Sequence, residues 1–513
     1  MARIGSYIRT IRHLRPVQIA GLAKFKFNRL LLSKFPVKLR DYTFRLPELS
    51  ISHRVGTDSH FYQLFSDRIN LRDFQWREGV DRLQKYHLHY FDFLRHCSAE
   101  EGIRIIRDWI EKNPPSIQND GWEPYPISLR MVNWIFFLAG NKISTEKEVV
   151  DSLYLQGRWL YRQREMHLLA NHLLKNIVAL LFWGYCFSDQ KIMKWVLTNL
   201  SFQLNEQFTA DGMHYEYSPT YHALVISDVM DSFNLLENNL TDRKKIKTRL
   251  REIAGRGVAN AGYLGDGKYI SVGDVNYQDC PSRNDLKSYG HRLNIGSGPS
   301  EVKSFPSLKK NNLKVMMISS PFSPVYNPAH SHGDKLSVLL WNGDVPVLTD
   351  TGNYSYNFCD ERIYSRSVEA HNTVQIDDLQ QAEFWSVFRV GYRGKAEMPL
   401  SDSNEISSVF VHRNYRHHRN LEIAEGGFIL QDRIRAEGSH SFKQYFHFHP
   451  ACAIEAGTDR VIVNNSLIIK FSHRFDLIET EYYPEMYRKE HQSTAVVYGE
   501  FADRISLTAE IVI

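Results

Sequence analysis

Histidines and carboxylates that could bind a metal ion or transfer protons cluster between residues 329 and 373. Alternate residues of a strand share one face, so the sequence AHSHGD at 329–334 would place His330, His332 and Asp334 together. Asp350 and His371 follow at the ends of predicted neighbouring strands, which lie about 5 Å apart in a sheet. Two imidazoles and a carboxylate can hold a zinc-sized ion, and one histidine is then left for acid–base chemistry. A polar, surface-facing strand edge is the alternative interpretation.

Length and composition are typical of a multidomain globular protein. The 513 residues allow two or three domains with substantial cores. The hydrophobic content of 43% and the charged content of 24% are ordinary, and the net charge of +5 is too small to indicate a nucleic-acid partner. The five cysteines are odd in number and widely spaced, which predicts reduced thiols rather than a disulfide framework.

The first forty residues are strongly basic, with ten Lys or Arg and no Asp or Glu. Such a segment could lie on an anionic membrane surface. The alternative, which the sequence alone favours, is a helix docked on its own domain with its apolar residues buried. The first residues lack the pattern of a signal peptide, and the longest apolar run (177–187) is too short to span a bilayer. We therefore expect a cytoplasmic location, with a periplasmic one as the alternative.

The chain changes character near residue 300. Before it, apolar residues recur at steps of three and four, which predicts helices joined by short loops in a toroid or solenoid. After it, short apolar runs separated by turn residues predict a β-sandwich. A polar, Gly-rich stretch at 294–301 is the predicted linker. We predict a basic N-terminal segment with leading helices (1–80), a helical domain (81–300) and a β-domain (301–513).

The predicted helical runs are 103–110, 128–139, 149–164, 168–187, 191–208 and 221–236, and the predicted strands include 313–318, 336–341, 345–348, 371–376, 427–430, 461–463, 467–471 and 495–498.

Polar residues are dense at three places in the helical half: at 121–130, at 165–176 and at 211–222. In the last of these, Ser218 and Pro219 suit the N-cap and first position of a helix, which places Tyr221 in its first turn. Capping and loop packing are the alternative interpretation for each segment.

Five sequence motifs follow one another along the chain: Ala-Asn-His (170–172), Asp-Gly-x-x-x-Glu-x-Ser-Pro-x-Tyr-His (211–222), His-x-His-x-Asp (330–334), Leu-Thr-Asp-Thr-Gly-x-Tyr (348–354) and Arg-Ser-x-x-Ala-His-Asn-Thr (366–373). In this order they resemble the heparinase II/III family of polysaccharide lyases. The resemblance runs from about residue 85 to about residue 450 and is strongest from Ala329 to Val374. It implies an α+β multidomain protein, with an incomplete N-terminal α/α toroid, a C-terminal antiparallel β-sandwich and a site between them.

The resemblance also implies roles for individual residues in β-elimination from a uronic acid. Asn171 would sit beside the uronate carboxylate and stabilise the developing enolate. His330 and Tyr221 would take the C5 proton and protonate the leaving O4, with Tyr356 as a second phenol. His332, Asp350 and His371 match zinc ligands of the family, for a zinc that is structural rather than hydrolytic. We assign substrate binding to His172, Trp122, Glu216 and Arg366.

Two other functions remain open from the sequence. A glycoside hydrolase needs two carboxylates flanking the scissile bond, and Glu123 and Glu216 are the candidates. A non-catalytic glycan-binding or assembly protein could share the fold. For the lyase, the expected partner is an anionic polysaccharide, and bacterial exopolysaccharide or capsule biosynthesis or turnover is the expected context.

Overall fold

The computed structural model describes residues 2–50, 61–74, 76, 81–144, 146–240, 242–265, 267–296, 298 and 301–513. The predicted linker at 294–301 includes residues 297, 299 and 300, which lie outside the described residues, as do parts of the predicted 1–80 segment. Helices occupy the N-terminal part of the chain and antiparallel sheets the C-terminal part. The predicted order of a helical toroid followed by a β-sandwich is confirmed.

Paired helices pack around an aromatic core in the N-terminal part. Trp109, Trp134, Trp159 and Trp183 are fully buried within it. Every predicted helical run coincides with a helix to within a few residues at each end, because each run buries its apolar face against the next helix. The helices are α1 (Ala2–Ile11), α2 (Pro16–Lys34), α3 (Arg82–Tyr90), α4 (Ala99–Lys112), α5 (Pro124–Gly140), α6 (Lys147–Arg162), α7 (Ala170–Cys186), α8 (Gln190–Glu206), α9 (Pro219–Asn239), α10 (Lys244–Tyr263) and α11 (Arg283–Arg292).

Two antiparallel sheets share one apolar core in the C-terminal part. The smaller sheet has the order β3-β4-β5-β6, with β3 (Ser307–Lys310), β4 (Leu313–Met317), β5 (Val338–Asn342) and β6 (Val345–Leu348). The larger sheet is built on two long paired strands and contains β7 (Val374–Ile376), β10 (Lys395–Ala396), β11 (Leu400–Ser401), β12 (Glu405–Val411), β13 (Arg416–Ala424), β14 (Gly427–His447), β15 (Ile454–Ala456), β16 (Arg460–Val463), β17 (Leu467–Phe471), β18 (Phe475–Glu485) and β19 (Arg488–Val512).

Small elements complete the molecule at the boundary between its two parts. The hairpin β1 (Phe61–Leu64) and β2 (Asp67–Asn70) precedes the toroid helices. The short helix α12 (Asp360–Arg366) and the hairpin β8 (Ala382–Phe384) and β9 (Val390–Arg393) lie in the sandwich half. Segments next to this hairpin and next to α7 form the two walls of the cleft described below.

Three sequence predictions about this fold are wrong. Residues 329–337 are irregular rather than a strand, because the backbone of this segment bonds to a loop and to the end of α12. Asp274 N donates to His330 O (2.9 Å) and Gly333 N donates to Arg366 O (2.9 Å). The predicted strand at 371–376 begins only at Val374, since His371 follows a 3₁₀ turn.

The third wrong prediction concerns the N-terminal helices. We expected their apolar residues to be buried, yet α1 and α2 expose most of them. The extended segment that follows does dock on the toroid, where Val37, Phe44 and Leu46 pack against the aromatic core.

Candidate active site

A cleft of about 410 Å³ lies between the toroid and the sandwich. It brings together Asn171, Tyr221, His330 and Tyr356, the four residues for which the sequence predicts catalytic roles. His172 and Glu216, predicted to bind substrate, also line it. Aromatic rings form much of its wall, and such rings offer faces on which sugar rings can pack; they belong to Tyr86, Tyr90, Tyr125 and Phe388.

Asn171 and Tyr221 lie in the first turns of α7 and α9, and these helix N-termini place both side chains at the cleft. Ser218 caps α9, and its hydroxyl accepts a hydrogen bond from Tyr221 N (3.3 Å), while Pro219 occupies the first helical position. The predicted place of Tyr221 in the first turn is confirmed. Asn171 follows Leu169 and Ala170, whose positive φ angles (61° and 50°) turn the chain sharply into α7. Two non-glycine residues in the left-handed region mark a locally strained turn.

Asp274 organises the histidine segment from beneath. His330 Nδ1 and His332 Nε2 each lie 2.9 Å from one oxygen of the Asp274 carboxylate. Arg362 of α12 contacts both oxygens of the same carboxylate. All four side chains are nearly or fully buried. Burial alone would raise the pKa of Asp274, but Arg362 and the two imidazoles lower it well below its usual range.

This arrangement fixes the tautomer of His330. A carboxylate only accepts hydrogen bonds, so His330 Nδ1 must carry the proton that it shares with Asp274. Nε2 of the neutral ring is then an unprotonated acceptor, and it lies 3.9 Å from Glu216 Oε2. A histidine held in this state is prepared to remove a proton from a bound substrate. Gly273 permits the close approach, because a Cβ there would lie 2.5 Å from His330 O.

The two phenols form a pair next to this base. The Tyr221 and Tyr356 hydroxyl oxygens are 3.2 Å apart, and the Tyr221 ring stacks on the His330 ring with centroids 4.0 Å apart. Burial, followed by the Asp279 carboxylate, raises the pKa of Tyr221 well above its usual value. Burial, followed by Tyr221, does the same to the pKa of Tyr356. Both phenols therefore hold their protons at neutral pH and can act as acids.

Asn171 and Glu216 face each other across the cleft floor. The Asn171 Nδ2 atom donates to both Glu216 oxygens (3.0 and 2.9 Å). The side-chain amide oxygen of Asn171 (Oδ1) is buried without a hydrogen-bond partner in the described residues. Glu216 thus orients the amide that the sequence assigns to the uronate carboxylate.

Cationic side chains border the same region. His172 Nδ1 lies 3.0 Å from Glu165 Oε1, and although burial opposes the charge, Glu165 raises the pKa of His172. Arg389 lines the cleft and is exposed, and no carboxylate pairs with it in the described part of the chain. These groups give an anionic ligand something to bind.

The three predicted zinc ligands lie close together behind the cleft. The rings of His332 and His371 have centroids 5.5 Å apart, and His371 Nδ1 bonds Asp350 Oδ2 at 2.7 Å. The second Asp350 oxygen accepts from Gly352 N. His332 Nδ1 and His371 Nε2 are buried without a partner in the described residues, so they are free to bind an ion. No group of three His, Cys, Asp or Glu in the described chain is already spaced to hold a metal.

Two residues predicted to bind substrate lie elsewhere. Trp122 is buried against Trp109 and Trp159 in the toroid core and does not line the cleft. Arg366 is buried behind the cleft, where its guanidinium donates to backbone oxygens, including Ser331 O (3.2 Å) and Val387 O (2.8 Å). Their placement gives both residues a role in holding the structure, and we do not retain them as substrate contacts.

Sequence reasoning missed Asp274 and Arg362. Asp274 lies 56 positions from His330 in the chain, and Arg362 lies 88 positions from Asp274. No local spacing reports such a contact. The available signal was weak: a Gly-Asp pair at 273–274 in a loop, with no basic partner nearby in sequence.

Family comparisons agree with this architecture. The model described as "Heparinase II/III N-terminus" matches residues 96–250, and the one described as "Heparinase II/III-like, C-terminal" matches residues 305–507. The chain belongs to the heparinase II/III-like family. Membership supports polysaccharide lyase activity in general. No curated protein shows a significant sequence match.

Solved structures of similar fold are found at low sequence identity. A crystal structure of heparinase III is 15% identical, with a TM-score of 0.67, over 97% of this chain and 94% of that one. A mutant of the heparan sulfate lyase HepC from Pedobacter heparinus is 16% identical, with a TM-score of 0.57, over 96% and 88%. A heparinase III gene product is 14% identical, with a TM-score of 0.60, over 86% and 81%. At these identities, the likeness establishes the fold: a toroid followed by a β-sandwich.

Proposed function

We propose that this protein cleaves a uronic-acid-containing anionic polysaccharide by β-elimination. The observation that carries the proposal is the convergence in one cleft of His330, whose Nδ1 is bonded to Asp274, with the paired phenols of Tyr221 and Tyr356. Family membership supports a polysaccharide lyase, and this geometry supplies the groups that the chemistry needs.

The proposed reaction uses each group once. His330 Nε2 removes the C5 proton, and the electron pair of that bond forms the C4–C5 double bond as the C4–O4 bond breaks. Tyr221 gives its proton to the leaving O4, and Tyr356 can restore that proton through the hydrogen bond between the two phenols. Because both phenols are protonated at neutral pH, neither begins as the base. We assign stabilisation of the charge that develops at the uronate carboxylate to the Asn171 amide, whose Nδ2 here donates to Glu216 and would have to turn to donate to the substrate.

A hydrolase mechanism fits the cleft less well. Among the described residues, Glu216 and Asp279 are the carboxylates that line it, and each is already engaged by an amide, of Asn171 and of Asn276 respectively. Glu123 does not line the cleft itself, although it contacts Arg82 and Tyr86, which do. A paired acid and base across a glycosidic bond therefore has less support than elimination.

We also propose that a structural zinc binds behind the cleft. His332 and His371 would hold it through their unpartnered nitrogens. Asp350 is the third candidate ligand, although its carboxylate presently bonds the other nitrogen of His371. A zinc ion there would cross-link the His332 loop to the segment at His371 that leads into β7. His330 would still act through its own proton transfer.

Replacing Tyr221 with phenylalanine tests the proposed acid. The change removes one hydroxyl and leaves the stacked ring, so we expect turnover to fall by about 10²–10⁴-fold, as when a positioned acid is lost. The assay follows ultraviolet absorbance of the unsaturated product on a panel of uronate polysaccharides with and without sulfate or acetyl groups.

A matched control for this substitution is Tyr215→Phe. Tyr215 also forms a phenol–phenol hydrogen bond, 2.6 Å to Tyr326, but it does not line the cleft. Equal turnover in the two variants would refute the role of Tyr221. Wild-type protein that binds uronate polymers and releases no product would favour a glycan-binding or assembly protein.

A further inference from the structure

The N-terminal helix α1 turns its apolar stripe to solvent. Its four large apolar residues recur at steps of three and four, and each is at least half exposed. A helix on a globular protein ordinarily buries such a stripe against the core. These residues are Ile4 (65%), Tyr7 (53%), Ile8 (63%) and Ile11 (50%).

The face of α1 that meets the protein is mainly polar, with one ring contact between Tyr7 and Trp385 (centroids 4.6 Å apart). Ser6 Oγ and Arg9 Nε each donate to an oxygen of Glu383 at 2.7 Å. Trp385 Nε1 donates to Thr10 Oγ1 at 3.0 Å. The orientation is fixed by these bonds, so the exposed stripe is a property of the docked helix.

Helix α2 repeats this inverted arrangement. It rests on the toroid through Gln18, Gly21 and Leu32, which are buried. A Cβ at Gly21 would lie 2.9 Å from the Met166 backbone, so this contact is close. Its opposite face presents Ile19 (53%), Leu22 (42%), Phe27 (60%) and Leu30 (54%) to solvent.

Together the two helices carry a large share of the exposed apolar side chains. Of the 23 large exposed apolar residues in the described chain, nine lie on α1 and α2. Contiguous exposed apolar residues on a soluble protein mark an interaction surface. The same forty residues contain ten Lys or Arg and no acid. Lys24, Lys26 and Lys34 are exposed on α2 beside the apolar stripe.

We propose that α1 and α2 bind the surface of an anionic lipid bilayer, lying in its interface. Apolar side chains flanked by lysines, with no acid to repel lipid phosphates, are what such a surface selects. No helix in the described residues is long and apolar enough to cross a membrane, so the contact would be peripheral.

The position of this surface connects it with the cleft. Helix α1 docks on the hairpin residues Glu383 and Trp385, and the chain between them and β9 lines the cleft at 386–389. Helix α2 docks on Met166 and His167, directly before the cleft residues 168–172. Membrane binding would therefore hold both cleft walls close to the bilayer, where a membrane-attached glycan would be presented.

Vesicle sedimentation tests this proposal with the full-length protein. We expect binding to phosphatidylcholine vesicles that contain phosphatidylglycerol, weak binding to phosphatidylcholine alone, and loss of binding at high salt. Phe27→Glu should weaken the partition constant by about tenfold or more. The substitution removes a ring that would insert into the lipid interface and adds a negative charge, which the lipid phosphates repel. Lys26→Glu should weaken it by about fivefold or more.

Two matched controls lie on α8, outside the two helices proposed to bind the membrane. Phe202 is as exposed as Phe27 (59% against 60%), and Lys194 is likewise exposed. Phe202→Glu and Lys194→Glu should leave vesicle binding unchanged. Equal binding by Phe27→Glu and Phe202→Glu would overturn the proposal, as would no binding by the wild type. Sedimentation velocity tests whether a second copy of the chain covers this surface instead. A wild-type protein that forms a dimer, does not bind vesicles and becomes monomeric on Phe27→Glu substitution would mean that the exposed helices pair two copies.

Discussion

Replacing Asp274 with asparagine tests whether that carboxylate sets the protonation state of His330. Asparagine keeps the size of the side chain but offers one acceptor and one donor where the aspartate offers two acceptors. His330 and His332 both contact the carboxylate, so one of them must meet the amide NH₂. If His330 meets it, the proton moves to Nε2, and the ring can no longer remove a proton from the substrate.

Asp274→Asn should affect turnover and folding stability separately. Loss of the correct tautomer should lower kcat by about 10²–10⁴-fold, the usual contribution of a positioned base. Arg362 loses its buried counter-charge, which should cost about 3–5 kcal/mol of stability. A domain stable by about 5–15 kcal/mol would remain folded at moderate temperature. Turnover should therefore fall far more than the folded fraction.

A second buried aspartate in the same chain provides the control. Asp432 also binds a histidine and an arginine, with His417 Nε2 at 2.5 Å and Arg419 Nε at 2.6 Å, but it lies within the sandwich core. Asp432→Asn should lose comparable stability and keep the kcat of its folded fraction. Thermal unfolding and the ultraviolet assay of unsaturated product would be run on both variants. If Asp274→Asn stays within about threefold of wild-type kcat, or if the two variants lose activity equally, Asp274 does not position the base.

Three other outcomes follow from the site. Because the pKa of Tyr221 is raised well above its usual value, kcat should show no alkaline decline between pH 8 and about 10, measured as initial rates, whereas a phenol of ordinary pKa would be losing its proton near pH 10. Metal analysis should find one zinc per chain, and His332→Ala or His371→Ala should abolish it and lower the unfolding temperature; metal-free wild-type protein whose stability is unchanged by either substitution would rule the ion out. Arg389→Ala should raise KM for an anionic polymer several-fold at low salt while leaving kcat near the wild-type value, and the difference should shrink as salt is added; an unchanged KM would remove Arg389 from the binding surface.

Local pattern predicted much of the fold. The apolar spacing of 128–139 and 221–236 identified helices α5 and α9. A helix that buries one face repeats apolar residues every three or four positions, and this repeat is visible in a single sequence. The cap at Ser218 was predictable for the same reason, since its hydrogen bond spans only three residues. The four catalytic candidates meet in one cleft, but their motifs pointed to it only through the family resemblance.

Long-range contacts account for what the sequence did not reveal. The segment around His330 resembles a strand in its alternation, yet its backbone bonds to the loop at Asp274 and to the end of α12 at Arg366. Trp122 lies in a polar motif, yet its ring belongs to the tryptophan core. The inverted face of α1 was hidden too, because a stripe of apolar residues in sequence does not say which way the helix is turned.

Mass spectrometry of cleavage products formed in isotopically labelled water tests the central proposal most directly. Elimination by His330 and Tyr221 adds no water across the broken bond, so each cleavage should leave a product pair whose summed mass equals that of the substrate. The new non-reducing end should carry an unsaturated uronate and no label from water at C4. Products that together gain the mass of one labelled water for every bond cleaved would contradict elimination and point to hydrolysis through Glu216 and Asp279.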